Sequence, residues 1–157
     1  MMEHLFNGSA FCSVGDSGRV SLPPFVRITL ERRSDSNALT IAPDEAGSCL
    51  LGYDRGYARI LYADHERRRI AQEGDDAHHA RARRTFGRAE VASFGASGNF
   101  TLPPMMRRKG KIEGLALFIG VGGVFEIWNP QLALASDDET LRELAAWRLE
   151  DHVTQAS

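Results

Sequence analysis

One passage of this chain occurs twice. Residues 15–27 read Gly15-Asp16-Ser17-Gly18-Arg19-Val20-Ser21-Leu22-Pro23-Pro24-Phe25-Val26-Arg27, and residues 95–107 read Gly95-Ala96-Ser97-Gly98-Asn99-Phe100-Thr101-Leu102-Pro103-Pro104-Met105-Met106-Arg107. The glycines, a serine, a leucine, both prolines and an arginine return in one register, eighty positions on (95 − 15 = 80). Composition does not readily generate a spaced coincidence of that kind, so the simplest reading is a tandem duplication of one small unit. The copies differ where charge matters: Asp16 and Arg19 in the first are Ala96 and Asn99 in the second. One half therefore carries a polar surface that the other lacks.

A chain of 157 residues can bury a domain-sized core, but each half alone is small for independent stability, so the halves are expected to share one core. With 43% hydrophobic and 25% charged residues the composition is that of a folded domain. The net charge of −2 gives no global argument for nucleic-acid or membrane binding, and any such argument must come from local patches. No apolar run approaches the ~20 residues of a membrane helix. The opening Met1-Met2-Glu3-His4-Leu5-Phe6 is a poor signal peptide, having an acid and no basic start, and the expected location is the cytoplasm. Cys12 and Cys49 show no disulfide or metal-ligand spacing and read as buried thiols.

The pattern predicts an apolar strand over residues 6–13, a turn at Asp16-Ser17-Gly18, a short strand at Val20-Ser21-Leu22 and a proline-started helix over residues 24–30. Two strands, 38–42 and 48–53, follow with a polar connection between them. Tyr57, Ile60, Leu61 and Asp64 keep helical spacing in a run that ends near Gly74, and Asp75-Asp76 suit the start of a second helix reaching about Phe86. The second copy then repeats strand, turn, strand and proline-started helix, with a hairpin of residues 115–119 and 124–128 around Gly120 to Gly123. Ser136-Asp137-Asp138-Glu139 has a capping-box form, with Ser136 expected to cap. Leu141, Leu144, Ala145 and Leu149 then share a face that must lie on something apolar, in the same chain or a neighbouring subunit.

The duplicated segment resembles the one that marks the MraZ family, bacterial proteins with two swapped-hairpin AbrB-type halves. Each half of that family carries a turn resembling Asp-x-Lys-Gly-Arg, followed by an apolar residue, a spacer and Leu/Ile-Pro. Ser17-Gly18-Arg19-Val20-Ser21-Leu22-Pro23 matches the end of that pattern, and Phe125-Glu126-Ile127-Trp128-Asn129-Pro130 closely resembles the family's second-half signature. The resemblance runs from about Leu5 to Glu150. It implies an α+β fold of tandem duplicated, swapped-hairpin AbrB-like β-barrel halves with intervening and C-terminal helices, divided at residues 5–88 and 89–151. It also implies a sequence-specific DNA-binding transcriptional regulator of division and cell-wall genes that assembles into homo-oligomeric rings at the nucleoid. The chain departs from the pattern at Gly15, where the family has its acid, with Asp16 displaced by one position, and at Gly95 and Asn99 in the second half.

Arg19 is the most suggestive residue for DNA. An arginine just after a Ser-Gly turn stands clear of the sheet and offers a planar fork to phosphate or to guanine O6 and N7. Its alternative role is a local pair with Asp16; the resemblance favours DNA contact, with Ser17 and Gly18 allowing close backbone approach. Arg27, Arg32 and Arg33 follow in the first copy and Arg107, Arg108, Lys109 and Lys111 in the second, so Arg27 and Arg107 join the expected DNA-binding set. Solvated helix ends explain such clusters equally well for the lysines. Arg67, Arg68, Arg69, Arg81, Arg83, Arg84 and Arg88 are interspersed with Glu66, Glu73, Asp75 and Asp76, a mixture that suits an exposed helix face or an intersubunit salt-bridge surface. His78-His79 lacks ligand-like partners, and no metal or other cofactor is expected. No lysine-bearing phosphate loop, nucleophile elbow or HExxH occurs, so neither an enzyme nor a small-molecule substrate is expected. The competing non-catalytic reading is an oligomeric scaffold of the same fold that has lost specific DNA binding.

Overall fold

The computed structural model describes residues 4–34, 36–71 and 74–156, and side chains as far as Thr154. The sequence readings on Met1 to Glu3 and on Glu73 lie outside the described residues. The chain forms β1 (Ser9–Ser13), β2 (Arg19–Ser21), α1 (Pro24–Arg33), β3 (Ala38–Pro43), β4 (Leu50–Tyr53), α2 (Arg55–Ala71) and α3 (Asp75–Ala82). A π-helical turn (Arg83–Gly87) continues α3 before β5 (Glu90–Ser93), β6 (Asn99–Thr101), α4 (Pro104–Gly110), β7 (Leu115–Gly120), β8 (Phe125–Trp128), α5 (Pro130–Leu134) and α6 (Glu139–Ala156). This is a mixed fold with an antiparallel sheet, compatible with the α+β class read from the sequence.

Residues 15–27 and 95–107 take the same local course. Each makes a tight turn, a three-residue strand and a helix whose first residue is the second proline, with Pro23 and Pro103 both near φ −57° as N-caps. Proline suits the helix start because its fixed φ is already helical and its missing N–H would have no partner there. The strands do not pair within their own segment. β2 pairs with β6 as a separate antiparallel ribbon, with Val20 opposite Phe100. The main sheet runs in the order β1-β7-β8-β4-β3-β5, so β1 lies on β7 and β5 on β3.

The ribbon's inner residues Val20, Leu22, Phe100 and Leu102 pack into one core with Phe6, Leu39, Ile41, Leu50, Phe118 and Phe125. Both halves thus contribute to a single apolar interior, as their size requires. Gly52 faces Phe125 across the β4–β8 ladder, where a Cβ would collide with the ring. A buried ion pair joins the end of α1 to the start of α2. Arg33 Nη1 meets Asp54 Oδ1 at 3.3 Å with both side chains nearly solvent-free. Arg33 also donates to the carbonyls of Gly123 at 2.9 Å and His4 at 2.8 Å, and its guanidinium lies 4.5 Å from the Phe6 ring centre. Asp54 accepts from the Tyr57 amide at 3.2 Å and so caps α2.

Several local expectations shift. α1 continues to Arg33, beyond residue 30. The short helix α5 has no counterpart among the sequence expectations; Asn129 starts it by accepting from the Gln131 and Leu132 amides at 2.7 and 3.2 Å. At α6 the cap is Asp138, which accepts from the Leu141 amide at 3.0 Å, while Ser136 Oγ accepts from the Asp138 amide. The helix therefore starts later than a Ser136 cap would set it. Leu141 and Ala145 bury against Leu117, Ile119 and Ala133, and Arg148 Nε donates to Ser9 Oγ at 2.8 Å. Two residues of the α6 stripe, Leu141 and Ala145, are thus covered by their own chain, while Leu144 and Leu149 stay half-buried.

Candidate nucleic-acid interface

Alternation along β2 and β6 divides the ribbon into two faces. Val20 and Phe100 point inward, while Arg19, Ser21, Asn99 and Thr101 form the outer face, with Arg19 opposite Thr101 and Ser21 opposite Asn99. The turns that precede the strands sit at opposite ends. In the first, Gly18 N–H donates to the Gly15 carbonyl at 2.8 Å, Gly15 N–H to the Arg19 carbonyl at 2.9 Å, and the Leu102 amide to the Gly18 carbonyl at 2.9 Å. Gly18 takes φ +88°, and a Cβ there would lie 2.9 Å from the Leu102 carbonyl oxygen. Both facts demand glycine.

The sequence-predicted residues meet here in part. Ser17 and Arg19 are exposed beside one another, and Gly18 is buried beneath them. The Arg19 side chain makes no hydrogen bond or ion pair among the described residues, so its local partner is not Asp16. Arg27 pairs with Glu31 at 3.1 Å one helical turn on, and lies beside the second turn, its Cδ 3.0 Å from where a Cβ of Gly98 would be. Arg107 is bound up more tightly. Its Nη1 donates to the Asp16 carbonyl at 2.8 Å, Nε to that of Ile112 at 3.1 Å and Nη2 to that of Glu113 at 3.2 Å. The helix of the second repeat thus holds the turn of the first.

A basin of about 540 Å³ opens between that turn and the end of α4, with Asp16, Pro104, Arg107, Arg108, Lys111 and Glu113 on its walls. Arg108, Lys109 and Lys111 are exposed. Lys111 ends α4 at φ +55°, an uncommon conformation for a residue with a side chain, and Asn129 Nδ2 secures it by donating to its carbonyl at 2.7 Å. The sequence reading missed Ser21, Asn99 and Thr101 as neighbours of Arg19. Strand alternation marks each of them as outward, but only the β2–β6 pairing brings them onto one face.

The helical hairpin carries different chemistry. Arg67 and Arg68 pair with Asp64 at 3.0 and 3.3 Å, and Arg69 reaches Glu66 and Asp75, all on exposed or half-exposed ground. Such pairs stabilise by at most ~1 kcal/mol each. Among the described residues no group of three His, Cys, Asp or Glu could hold a metal. Burial pushes the Cys12 thiol up to about 11 and the Cys49 thiol higher still, where Glu126 and Asp44 add to the effect, so neither is a ready nucleophile. No helix among the described residues is long and apolar enough to cross a membrane.

Fold and site together define a mixed α/β protein whose exposed chemistry is a polar two-stranded ribbon flanked by guanidinium and ammonium groups. The chain is 30% identical over 146 residues to the transcriptional regulator MraZ of Xanthomonas oryzae pv. oryzae (strain MAFF 311018), an alignment covering 88% of this chain and 92% of that protein. It is 27% identical to the transcriptional regulator MraZ of Legionella pneumophila (strain Paris), covering 90% and 91% respectively. No family model matches the chain. On this likeness the chain belongs to the MraZ family, as the repeated motif suggested.

Proposed function

We propose that this protein is a sequence-specific DNA-binding transcriptional regulator acting on division and cell-wall genes, with the β2–β6 ribbon as its DNA-contacting element. The observation that carries the reading is Arg19: an unengaged guanidinium on the outer face of a ribbon whose turn is secured from behind. The major groove admits a two-stranded β-ribbon, and an arginine projecting from its outer face is the side chain best suited to phosphate or guanine. Ser17 approaches the sugar-phosphate strand beside it, while Gly18, buried with both backbone groups engaged, shapes the turn beneath them. Arg108 and Lys111 offer further phosphate contacts on the adjoining basin. Arg27 and Arg107 serve the interface from behind, Arg107 through its bond to the Asp16 carbonyl.

The pairing of β1 with β7 and of β5 with β3 supports a tandem duplication of a swapped-hairpin, AbrB-like unit, with halves at residues 5–88 and 89–151. A chain of net charge −2 gains affinity for DNA by presenting several ribbons at once, which supports a homo-oligomeric ring associated with the cytoplasmic nucleoid. Fluorescence anisotropy on the DNA upstream of the protein's own gene, across a salt series, tests the reading. Wild type binds with a steep salt dependence, and Arg19→Ala binds more weakly, its log–log slope against salt shallower by about one for each phosphate it no longer neutralises. Equal affinity and equal slope for the two proteins refute the ribbon as the DNA-contacting element and favour the scaffold reading.

A further inference from the structure

Arg19 and Asn99 stand at diagonal corners of the ribbon's outer face, because Arg19 is opposite Thr101 and Ser21 is opposite Asn99. Diagonal neighbours on an antiparallel pair are ~7–8 Å apart. Two base-pair steps, at ~3.4 Å each, span about the same distance. The amide of Asn99 is held: its Nδ2 donates to Ser97 Oγ at 2.8 Å. That bond engages one of the two N–H donors and leaves the second N–H together with Oδ1. A donor and an acceptor on one planar amide are the pair that matches adenine N7 and N6 in the major groove.

We infer that Asn99 is a base-reading residue for adenine, set two base-pair steps from a guanine read by Arg19. The residue that stands without charge on the second turn is then a specificity element and not a degenerate position. The inference rests on the DNA-binding reading above and adds to it the identity of two bases. Asn99 carries no charge, so its contribution appears in sequence discrimination and leaves the salt dependence unchanged. The competing account is local: the Asn99 to Ser97 bond merely steadies an exposed turn.

Selection from a pool of randomised duplexes, with the full-length wild type, Arg19→Ala, Asn99→Ala and Asn99→Asp, separates the accounts. Wild type should select sites with a guanine and an adenine two steps apart, and Arg19→Ala should keep the adenine and lose the guanine. Asn99→Ala should keep the guanine, lose the adenine and bind the wild-type site roughly tenfold more weakly with the same salt slope. Asn99→Asp keeps the shape but cannot donate to N7 and should fail likewise. Replacing the adenine by 7-deazaadenine should weaken wild type by a similar factor and leave Asn99→Ala unaffected. If Asn99→Ala selects the same adenine, or if 7-deazaadenine weakens both proteins equally, Asn99 is not a reader while the DNA-binding reading stands. If wild type selects no sequence at all, both fall together.

Discussion

At the first turn of the ribbon the Gly18 amide donates to the Gly15 carbonyl at 2.8 Å and the Gly18 carbonyl receives the Leu102 amide at 2.9 Å; at the second, Gly98 donates to Gly95 at 2.9 Å and receives Leu22 at 2.9 Å. Gly18 and Gly98 sit at φ +88° and +85°. Two stretches that differ at many of their side chains therefore hold one backbone geometry, because the glycines and the Leu-Pro-Pro steps dictate it. The chemistry on that backbone diverges. The first turn presents Arg19 and is tied by Arg107, whereas the second presents Asn99, and the arginine behind it, Arg27, is turned to Glu31. The two turns share a backbone frame, and the side chains on it give the two ends of the ribbon different chemistry.

The largest test of that asymmetry lies at the buried Arg33–Asp54 pair. Arg33→Ala leaves Asp54 buried without its cation, and chemical denaturation should show a loss of about 3–5 kcal/mol. Eighty positions on stands the exposed Glu113, whose replacement by alanine should change stability by less than ~0.5 kcal/mol. Comparable losses from both would break the comparison.

Next come the two turn glycines. In Gly18→Ala the new Cβ meets the Leu102 carbonyl, which belongs to the backbone and cannot yield, and alanine must adopt positive φ; we expect ~2–3 kcal/mol of destabilisation. In Gly98→Ala the nearest atom is Cδ of the flexible Arg27, so about 1–2 kcal/mol is expected from the φ penalty alone. Thermal melts of the two variants in parallel check the order.

A smaller effect separates the two arginines. Arg107→Gln abandons hydrogen bonds to three carbonyls and should cost ~1–2 kcal/mol while weakening DNA binding by loosening the Asp16 turn. Arg27→Gln loses one partly exposed pair with Glu31 and should stay within ~0.5 kcal/mol. Hydrogen exchange should rise at the Gly18 amide and not at the Gly98 amide in the Arg107 variant.

The smallest effect concerns the segment that joins the copies. Burial within the helical hairpin, then the charges of Arg81, His78 and Arg68, hold His65 below the ordinary imidazole value, with Asp64 acting weakly the other way. The unfolded chain then binds more protons than the folded one in the window from about 6.5 down to the lowered value. Stability is full above that window and falls as pH drops through it. Urea midpoints measured at pH 7.5 and pH 5.5 should fall further for wild type than for His65→Gln, with ribbon amide protection unchanged.

Much of this was legible from the residues alone. Glycine, proline and two-residue alternation set turns, helix starts and strands at both copies, because those preferences are local and steric. The amphipathic stripe of α6 announced that it must be covered, and its cap misled only in that Asp138 competed successfully with Ser136 for the free amides. The repeat also announced Arg19, since a charge that differs between otherwise matched turns stands out.

What the sequence by itself determined is the pair of turn-strand-helix units, their shared register and the cation on the first. The tertiary structure alone decided that β2 lies on β6 and β1 on β7, that Arg107 reaches across to the Asp16 carbonyl, and that Asn99 stands diagonally from Arg19. Local preference fixes a residue's own dihedral angles and the face it points to. Which strand lies beside it depends on how two half-sized apolar surfaces bury each other, and that choice exists only once the whole chain has collapsed into its single core.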